Sequence, residues 1–170
     1  MQIHDYLKAS PVIDASAHLF EGAHVVGDVT LGKEVSVWFN TVIRGDVAPV
    51  IIGDSTNVQD GTVIHTATDF PTIIGKNVTI GHSAVVHACT IEDNALIGMH
   101  STILDGAVVE KGALVAAGTL VPPGKRVPQN TLVMGNPMKV VRELTPEERS
   151  ANRKNADHYI NLMKAYKATQ

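Results

Sequence analysis

Aliphatic residues recur along this chain at intervals of six positions, and we call these residues anchors. Of the nineteen intervals that separate successive anchors, sixteen are six residues long. Six is not a helical period, and an even spacing rich in β-branched residues is typical of short strands separated by turns. The pattern therefore predicts an all-β solenoid. The anchors are Ile13, Leu19, Val25, Leu31, Val37, Ile43, Ile52, Val58, Ile64, Ile74, Ile80, Val86, Ile91, Ile97, Ile103, Val109, Val115, Val121, Val127 and Val133.

Three intervals depart from six. Nine residues separate Ile43 from Ile52, ten separate Ile64 from Ile74, and five separate the anchors on either side of residues 87–90. Insertions in a solenoid collect at particular corners. We therefore expect the two longer intervals to be loops that leave the solenoid.

A helix signal follows the last anchors. Thr145 is suited to a capping box with Glu148, Pro146 suits the first helical position, and Glu147 adds a second acid to the first turn. These residues predict a helix over roughly 146–167.

One face of this helix is apolar, which predicts that it docks on an apolar surface. We accordingly expect a solenoid domain over 1–140 and, over 141–170, a C-terminal helix packed on it. The residues of this face are Tyr159, Leu162, Met163 and Tyr166.

The charge and composition exclude some classes of partner. The formal net charge is −3 and the pI about 6.2, so the basic surface of a nucleic-acid-binding protein is missing. No apolar run approaches the ~20 residues that span a bilayer, and the start of the chain does not resemble a signal peptide. We expect no nucleic-acid partner, no membrane span and a cytoplasmic location. The single cysteine, Cys89, is interpreted as a small buried residue, not as a nucleophile or a fourth metal ligand.

The candidate chemistry lies in three histidines, because His65, His82 and His87 fall within 23 residues of the solenoid. Five positions separate His82 from His87, a spacing that places them together on neither a helix nor a strand. The remaining histidines are interpreted as surface or structural residues: His4, His18, His24, His100 and His158.

The six-residue spacing of the anchors resembles that of the hexapeptide-repeat proteins. Their fold is a left-handed parallel β-helix in which three six-residue repeats, or hexads, make each triangular coil. Four short motifs narrow the resemblance to the γ-class carbonic anhydrases, over roughly residues 10–140. The motifs are Arg44-Gly45-Asp46, Asn57-Val58-Gln59-Asp60-Gly61, Ile64-His65, and Gly81-His82 with His87.

Three hexads per coil would place His65 and His87 on one face of successive coils, because each directly follows an anchor. Arg44 belongs to the same column, and neighbouring strands are ~4.8 Å apart. His82 belongs to the preceding face, so we expect a neighbouring subunit to supply it. The resemblance implies a homotrimer with metal sites between subunits.

Three neutral imidazoles leave a position for water, as in catalytic zinc sites, although iron(II) or cobalt would also suit them. The resemblance implies hydration of carbon dioxide to bicarbonate, and it carries functional roles to seven further residues. Gln59 would orient water or bicarbonate, Asn57 and Asp46 would support the site, and Arg44 would pair with Asp60 across the interface. The last two residues match a tyrosine-x-asparagine motif on the helix: Tyr159 and Asn161.

Val47 and Thr68 stand where the resembled enzymes carry acidic residues that relay protons to bulk water. The chain could thus be a slow enzyme, a metal site for another small electrophile, or an inactive trimer. Two other functions also stay open. One is an acyltransferase that uses a coenzyme A thioester, and the other is a non-catalytic trimeric scaffold.

Overall fold

The computed structural model describes residues 9–169, which form a left-handed parallel β-helix followed by a single α-helix. The chain winds around a triangular core, and successive coils stack through parallel strand pairing. The strands are β1 (Val12–Ile13), β2 (His18–Leu19), β3 (His24–Leu31), β4 (Ser36–Val37), β5 (Val42–Ile52), β6 (Asn57–Val58), β7 (Val63–His65), β8 (Thr72–Ile74), β9 (Thr79–Ile80), β10 (Val85–His87), β11 (Thr90–Ile91), β12 (Leu96–Ile97), β13 (Thr102–Ile103), β14 (Val108–Val109), β15 (Leu114–Val115), β16 (Leu120–Val121), β17 (Arg126–Val127), β18 (Thr131–Met134) and β19 (Lys139–Glu143).

Three faces surround the core. The histidine face consists of the first parts of β3 and β5 followed by β7, β10, β13 and β16. The third face consists of β1 and the last parts of β3 and β5, followed by β8, β11, β14 and β17. The helix face is a separate sheet of eight strands: β2, β4, β6, β9, β12, β15, β18 and β19.

Strand pairing aligns the anchors of successive coils. On the histidine face Ile43 pairs with Ile64, Ile64 with Val86, and Val86 with Ile103, and all four are completely buried. The predicted solenoid with three hexads per coil is therefore confirmed. Because the anchors are aliphatic and stack on themselves, the core needs few aromatic residues.

Many corners of the coils turn at a residue with positive φ. Asparagine tolerates this left-handed conformation and occupies several of these corners. At Gly27, with φ of 82°, an added Cβ would lie 2.3 Å from the carbonyl oxygen of Gly45, so adjacent coils leave no room for a side chain there. The asparagines with positive φ are Asn40, Asn77, Asn94 and Asn130.

The prediction of a loop between Ile43 and Ile52 is wrong, because β5 continues through this whole interval. The neighbouring strand β3 is also continuous, and its register with β5 shifts between Gly27 and Val29. The register shift accommodates the additional residues between Ile43 and Ile52, so the pairing of β3 with β5 continues around the corner. The second long interval does leave the solenoid as a short loop, closed by two backbone hydrogen bonds between Ala67 and Phe70.

The C-terminal helix α1 (Pro146–Lys167) matches the predicted range. The hydroxyl of Thr145 accepts a hydrogen bond from the Glu148 amide, and the Glu148 carboxylate accepts one from the Thr145 amide. Within residues 9–169, no helix combines the length and the apolar character that crossing a bilayer requires. The predicted boundary at residue 140 falls inside β19, which pairs with β18 in antiparallel fashion.

The helix docks on the helix face through an aromatic cluster, as its apolar residues predicted. Met163 is 1% exposed and packs with Phe20 and Trp38. The rings of Trp38 and Phe20 stack with centroids 4.2 Å apart, and Tyr159 contacts Trp38 edge-on at 5.5 Å. The helix therefore extends the core outward over β4, β6 and β9.

Candidate metal centre

His65 and His87 lie side by side at the ends of two adjacent strands. Strand β7 pairs with β10 so that the two histidines are direct partners. Their ring centroids are 5.2 Å apart, and Nδ1 of His65 lies 3.2 Å from Nε2 of His87. The hexad register thus brings two imidazole nitrogens to one point on the histidine face.

The outer nitrogen of each ring faces a carboxylate. Nε2 of His65 lies 2.8 Å from Oδ1 of Asp46, whose side chain is 1% exposed. Nδ1 of His87 lies 2.6 Å from Oδ1 of Asp105, whose side chain is 47% exposed. A histidine that binds a metal usually donates its other N–H to such an acceptor, which fixes the tautomer and the ring orientation.

The two inward nitrogens fit a shared metal ion. Two nitrogens held at 2.0–2.1 Å from a tetrahedral zinc ion are about 3.3 Å apart, close to the distance between the two rings. Among residues 9–169, no group of three or more histidine, cysteine, aspartate or glutamate side chains forms a complete site. The described residues therefore bring two candidate ligands to this point.

His82 lies elsewhere, at the corner between the helix face and the histidine face. Its Nδ1 is 2.7 Å from Oδ2 of Asp60, which occupies the same corner one coil earlier. Both side chains are 41% exposed. The geometry leaves Nε2 of His82 as the nitrogen not engaged by Asp60, at an accessible edge of the molecule.

Asp46 also receives a hydrogen bond from Nη1 of Arg44, so one buried carboxylate joins the guanidinium to His65. The continuation of β5 past Arg44 explains this contact, because it carries Asp46 along the sheet beside β7. The pairing of Arg44 with Asp60 was predicted across subunits and stays a prediction.

Gln59 and Asn57 lie under the helix and are almost fully buried. Nε2 of Gln59 donates to Oδ1 of Asn57 at 3.1 Å, and Nδ2 of Asn57 donates to Oγ1 of Thr79 at 3.0 Å. This chain of hydrogen bonds holds the Gln59 amide in one orientation close to the corner that carries His82.

A cavity of about 260 Å³ opens between this corner and the helix. Gln59, His82 and Tyr159 line it, and burial, followed by the charge of Asp60, raises the pKa of the Tyr159 phenol. Asn161 is exposed and is not part of the lining, whereas Asn155 is. The apolar side of the cavity is formed by Leu96, Ile97, Met99 and Ala117.

Cys89 is buried, and burial raises the pKa of its thiol to about 12. A protonated thiol is a poor nucleophile and a poor ligand. Of the other histidines, His18 packs edge-on against Phe20, with ring centroids 4.5 Å apart, while three are exposed and His4 lies outside the described residues. The exposed three are His24, His100 and His158.

Two residues of the site were missed by the sequence analysis. Asp105 lies two positions after the anchor Ile103, which pairs with Val86 seventeen residues earlier. Counting coils would have placed this acid close to His87. Asn155 has a buried Oδ1 without a hydrogen-bond partner among residues 9–169, and neither its spacing nor any motif indicated this position.

Two family models of hexapeptide repeats match the chain. The bacterial transferase hexapeptide model matches residues 71–103, and the hexapeptide repeat of succinyl-transferase matches residues 89–122. A Bacillus cereus crystal structure, described provisionally as an acetyltransferase, is 46% identical with a TM-score of 0.94. The match covers 97% of this chain and 96% of that one.

Curated relatives extend the similarity to the whole chain. A carbonic anhydrase of Geobacillus kaustophilus is 49% identical over 99% of this chain and 92% of its own length. Gamma carbonic anhydrase 2, a mitochondrial protein of Arabidopsis thaliana, is 47% identical over 90% of this chain, which spans only 57% of that relative's length. Identity at this level over at least 90% of this chain shows common descent. The chain belongs to the gamma-class carbonic anhydrase family of hexapeptide-repeat proteins.

Proposed function

We propose that the protein is a metal-dependent carbonic anhydrase that hydrates carbon dioxide to bicarbonate. The observation that carries the proposal is the pair of imidazole nitrogens 3.2 Å apart, from His65 and His87, each ring backed by a carboxylate. The names of the relatives agree with this chemistry.

The third ligand is proposed to be His82 of the partner subunit in a homotrimer. Within one chain, His82 lies at a different corner from the histidine pair and bonds to Asp60. The histidine face also exposes apolar side chains around the pair, including Val63 at 42% and Val85 at 37%, which a neighbouring subunit would cover. In this arrangement Arg44 and Asp60 meet across the interface.

Zinc is the proposed ion, with iron(II) or cobalt as alternatives, and a bound ion of this kind lowers the pKa of water so that a nucleophile forms near neutral pH. Residues of the chain itself would bind and orient the substrate. Gln59, fixed by Asn57, orients water or bicarbonate beside His82, and the cavity under the helix admits a small apolar molecule such as carbon dioxide. Tyr159 contributes its phenol to the same cavity, and Asn161 stays a predicted contributor.

Proton export is proposed to be slow. Val47 is 43% exposed and Thr68 is exposed, and neither can carry a proton from the site to bulk water. Turnover should therefore depend on the concentration of an added buffer such as imidazole. The location of the protein is proposed to be cytoplasmic.

The test combines metal content with activity for the wild type and His87→Ala, purified without oxygen. We expect about one ion per chain and carbon dioxide hydration in stopped flow for the wild type, and loss of both in the variant. His158→Ala, which changes an exposed histidine on the helix, is the control and should retain both. Equal metal content in all three proteins would contradict the proposal.

An acyltransferase is the second candidate, since the Bacillus cereus structure is described provisionally as an acetyltransferase. It predicts metal-independent transfer of an acetyl group from acetyl coenzyme A to a small acceptor. That activity, unchanged in His87→Ala and in the presence of a chelator, would favour this candidate over hydration.

A further inference from the structure

Asp105 lies on the corner that follows β13, one coil beyond His87. Its Oδ1 is 2.6 Å from Nδ1 of His87, and the amide of the next residue, Gly106, donates to the carbonyl oxygen of Ala88 at 2.7 Å. The backbone on both sides of the contact is thus fixed by pairing between coils. The carboxylate is held beside the ring although almost half of its side chain is exposed.

The same arrangement recurs at all three candidate ligands. His65 faces Asp46 at 2.8 Å and His82 faces Asp60 at 2.7 Å, and both aspartates lie on the coil before their histidine. Asp105 differs because it reaches back from the coil after His87. Three separate carboxylates on different coils therefore leave one imidazole nitrogen on each ring directed away from its aspartate.

We propose that Asp105 is a positioning residue that holds His87 in the Nδ1–H tautomer and directs its Nε2 lone pair toward His65. An ionised carboxylate only accepts hydrogen bonds, so the facing nitrogen must be the donor and the other nitrogen of a neutral ring becomes the acceptor or ligand. The inference deepens the proposed metal site and rests on it for its role in binding the ion.

His87 needs such a partner because little else orients its ring. It is the last residue of β10, before a corner shortened by one residue, and its side chain is 30% exposed. His65, by contrast, faces a carboxylate that is buried and also bonded to Arg44. Without Asp105, rotation about the Cβ–Cγ bond would turn Nε2 away from the shared point.

The tautomer is tested first, on metal-free protein labelled with nitrogen-15 on histidine, at about pH 9. Long-range proton–nitrogen correlation spectra should show His87 as Nδ1–H in the wild type and a shift toward Nε2–H in Asp105→Ala, which removes the acceptor. The control is Asp93→Ala. Asp93 is also a corner carboxylate, but it accepts a hydrogen bond from the Lys76 amide and does not contact the candidate histidines. An Nε2–H tautomer in the wild type, or no change in Asp105→Ala, would overturn the proposal.

Zinc affinity, measured by competition with a chelator, is the second readout. Loss of a carboxylate behind a ligating histidine typically weakens metal binding about 10–100-fold. We expect a loss of this size for Asp105→Ala, partial recovery for Asp105→Glu, and affinity within about twofold of wild type for Asp93→Ala. An unchanged affinity in Asp105→Ala would overturn the role in binding. A wild type that binds no zinc would refute the proposed function, while the tautomer experiment would still decide whether Asp105 orients His87.

Discussion

Cys89 shows how one residue of this core responds to its surroundings. It lies two positions after His87, is 2% exposed, and packs in the aliphatic column between coils. Burial, and to a smaller extent the charge of Asp105, raises the pKa of the thiol to about 12. The residue therefore behaves as a small apolar side chain of the core.

This shift makes stability depend on pH in the alkaline range. An unfolded cysteine titrates near about pH 8.5, so the contribution of the buried thiol is present below that pH and is lost as the pH rises toward 12. We expect Cys89→Ala to lose less unfolding free energy than the wild type between about pH 7 and pH 10.5. Denaturant unfolding of both proteins at both pH values measures this difference. Equal losses would contradict the assigned pKa direction.

Strands and corners could be predicted to different extents. The anchors define where strands lie, because a buried aliphatic residue recurs at a fixed place in each hexad, and the acidic and proline residues around Thr145 define the helix start. The interval from Ile43 to Ile52 could not be interpreted in this way. Whether inserted residues form a loop or lengthen a strand depends on pairing with β3 on the previous coil, and spacing within one strand does not contain that information.

The docking of α1 can be tested through Met163, which is 1% exposed between Phe20 and Trp38. Truncation of a buried methionine typically costs about 2–5 kcal/mol, so Met163→Ala should lower the unfolding free energy by an amount in this range. Because Trp38 is the single tryptophan, its emission should also shift to the red as the helix loosens. Lys154→Ala, on the exposed side of the helix, should change neither quantity. Identical behaviour of the two variants would contradict the docking.

Across the whole molecule, the candidate ligands are divided between two regions. His65 and His87 share the histidine face, while His82 and Asp60 occupy a corner next to the helix face. The division follows from the winding, and three hexads per coil were enough to predict it. The contacts of Asn155 could not be predicted, because they depend on how the helix lies across the solenoid.

A mixing experiment tests this division. His82→Ala and His87→Ala subunits should each form trimers without intact sites, because each lacks one of the three ligands. In trimers reassembled from an equal mixture, a site is intact where a His82→Ala chain supplies the pair and a His87→Ala chain supplies the third ligand. Random assembly gives about a quarter of the wild-type sites, and metal content and hydration rate should recover to this fraction.

The control is the double variant carrying both changes, which should restore nothing when mixed with either single variant beyond what that variant shows alone. If the equal mixture recovers no metal, the three histidines do not meet between subunits. If either single variant already binds zinc like the wild type, the substituted histidine is not a ligand.

The last strand, β19, has a consequence for how these molecules behave at high concentration. It runs opposite to β18 and covers the edge at which another coil of the helix face would otherwise add. A solenoid that ended in a parallel strand would offer a template for end-to-end growth with further copies. Because β19 runs antiparallel, that end of the sheet does not present the parallel strand that a further copy would need to stack in coil register.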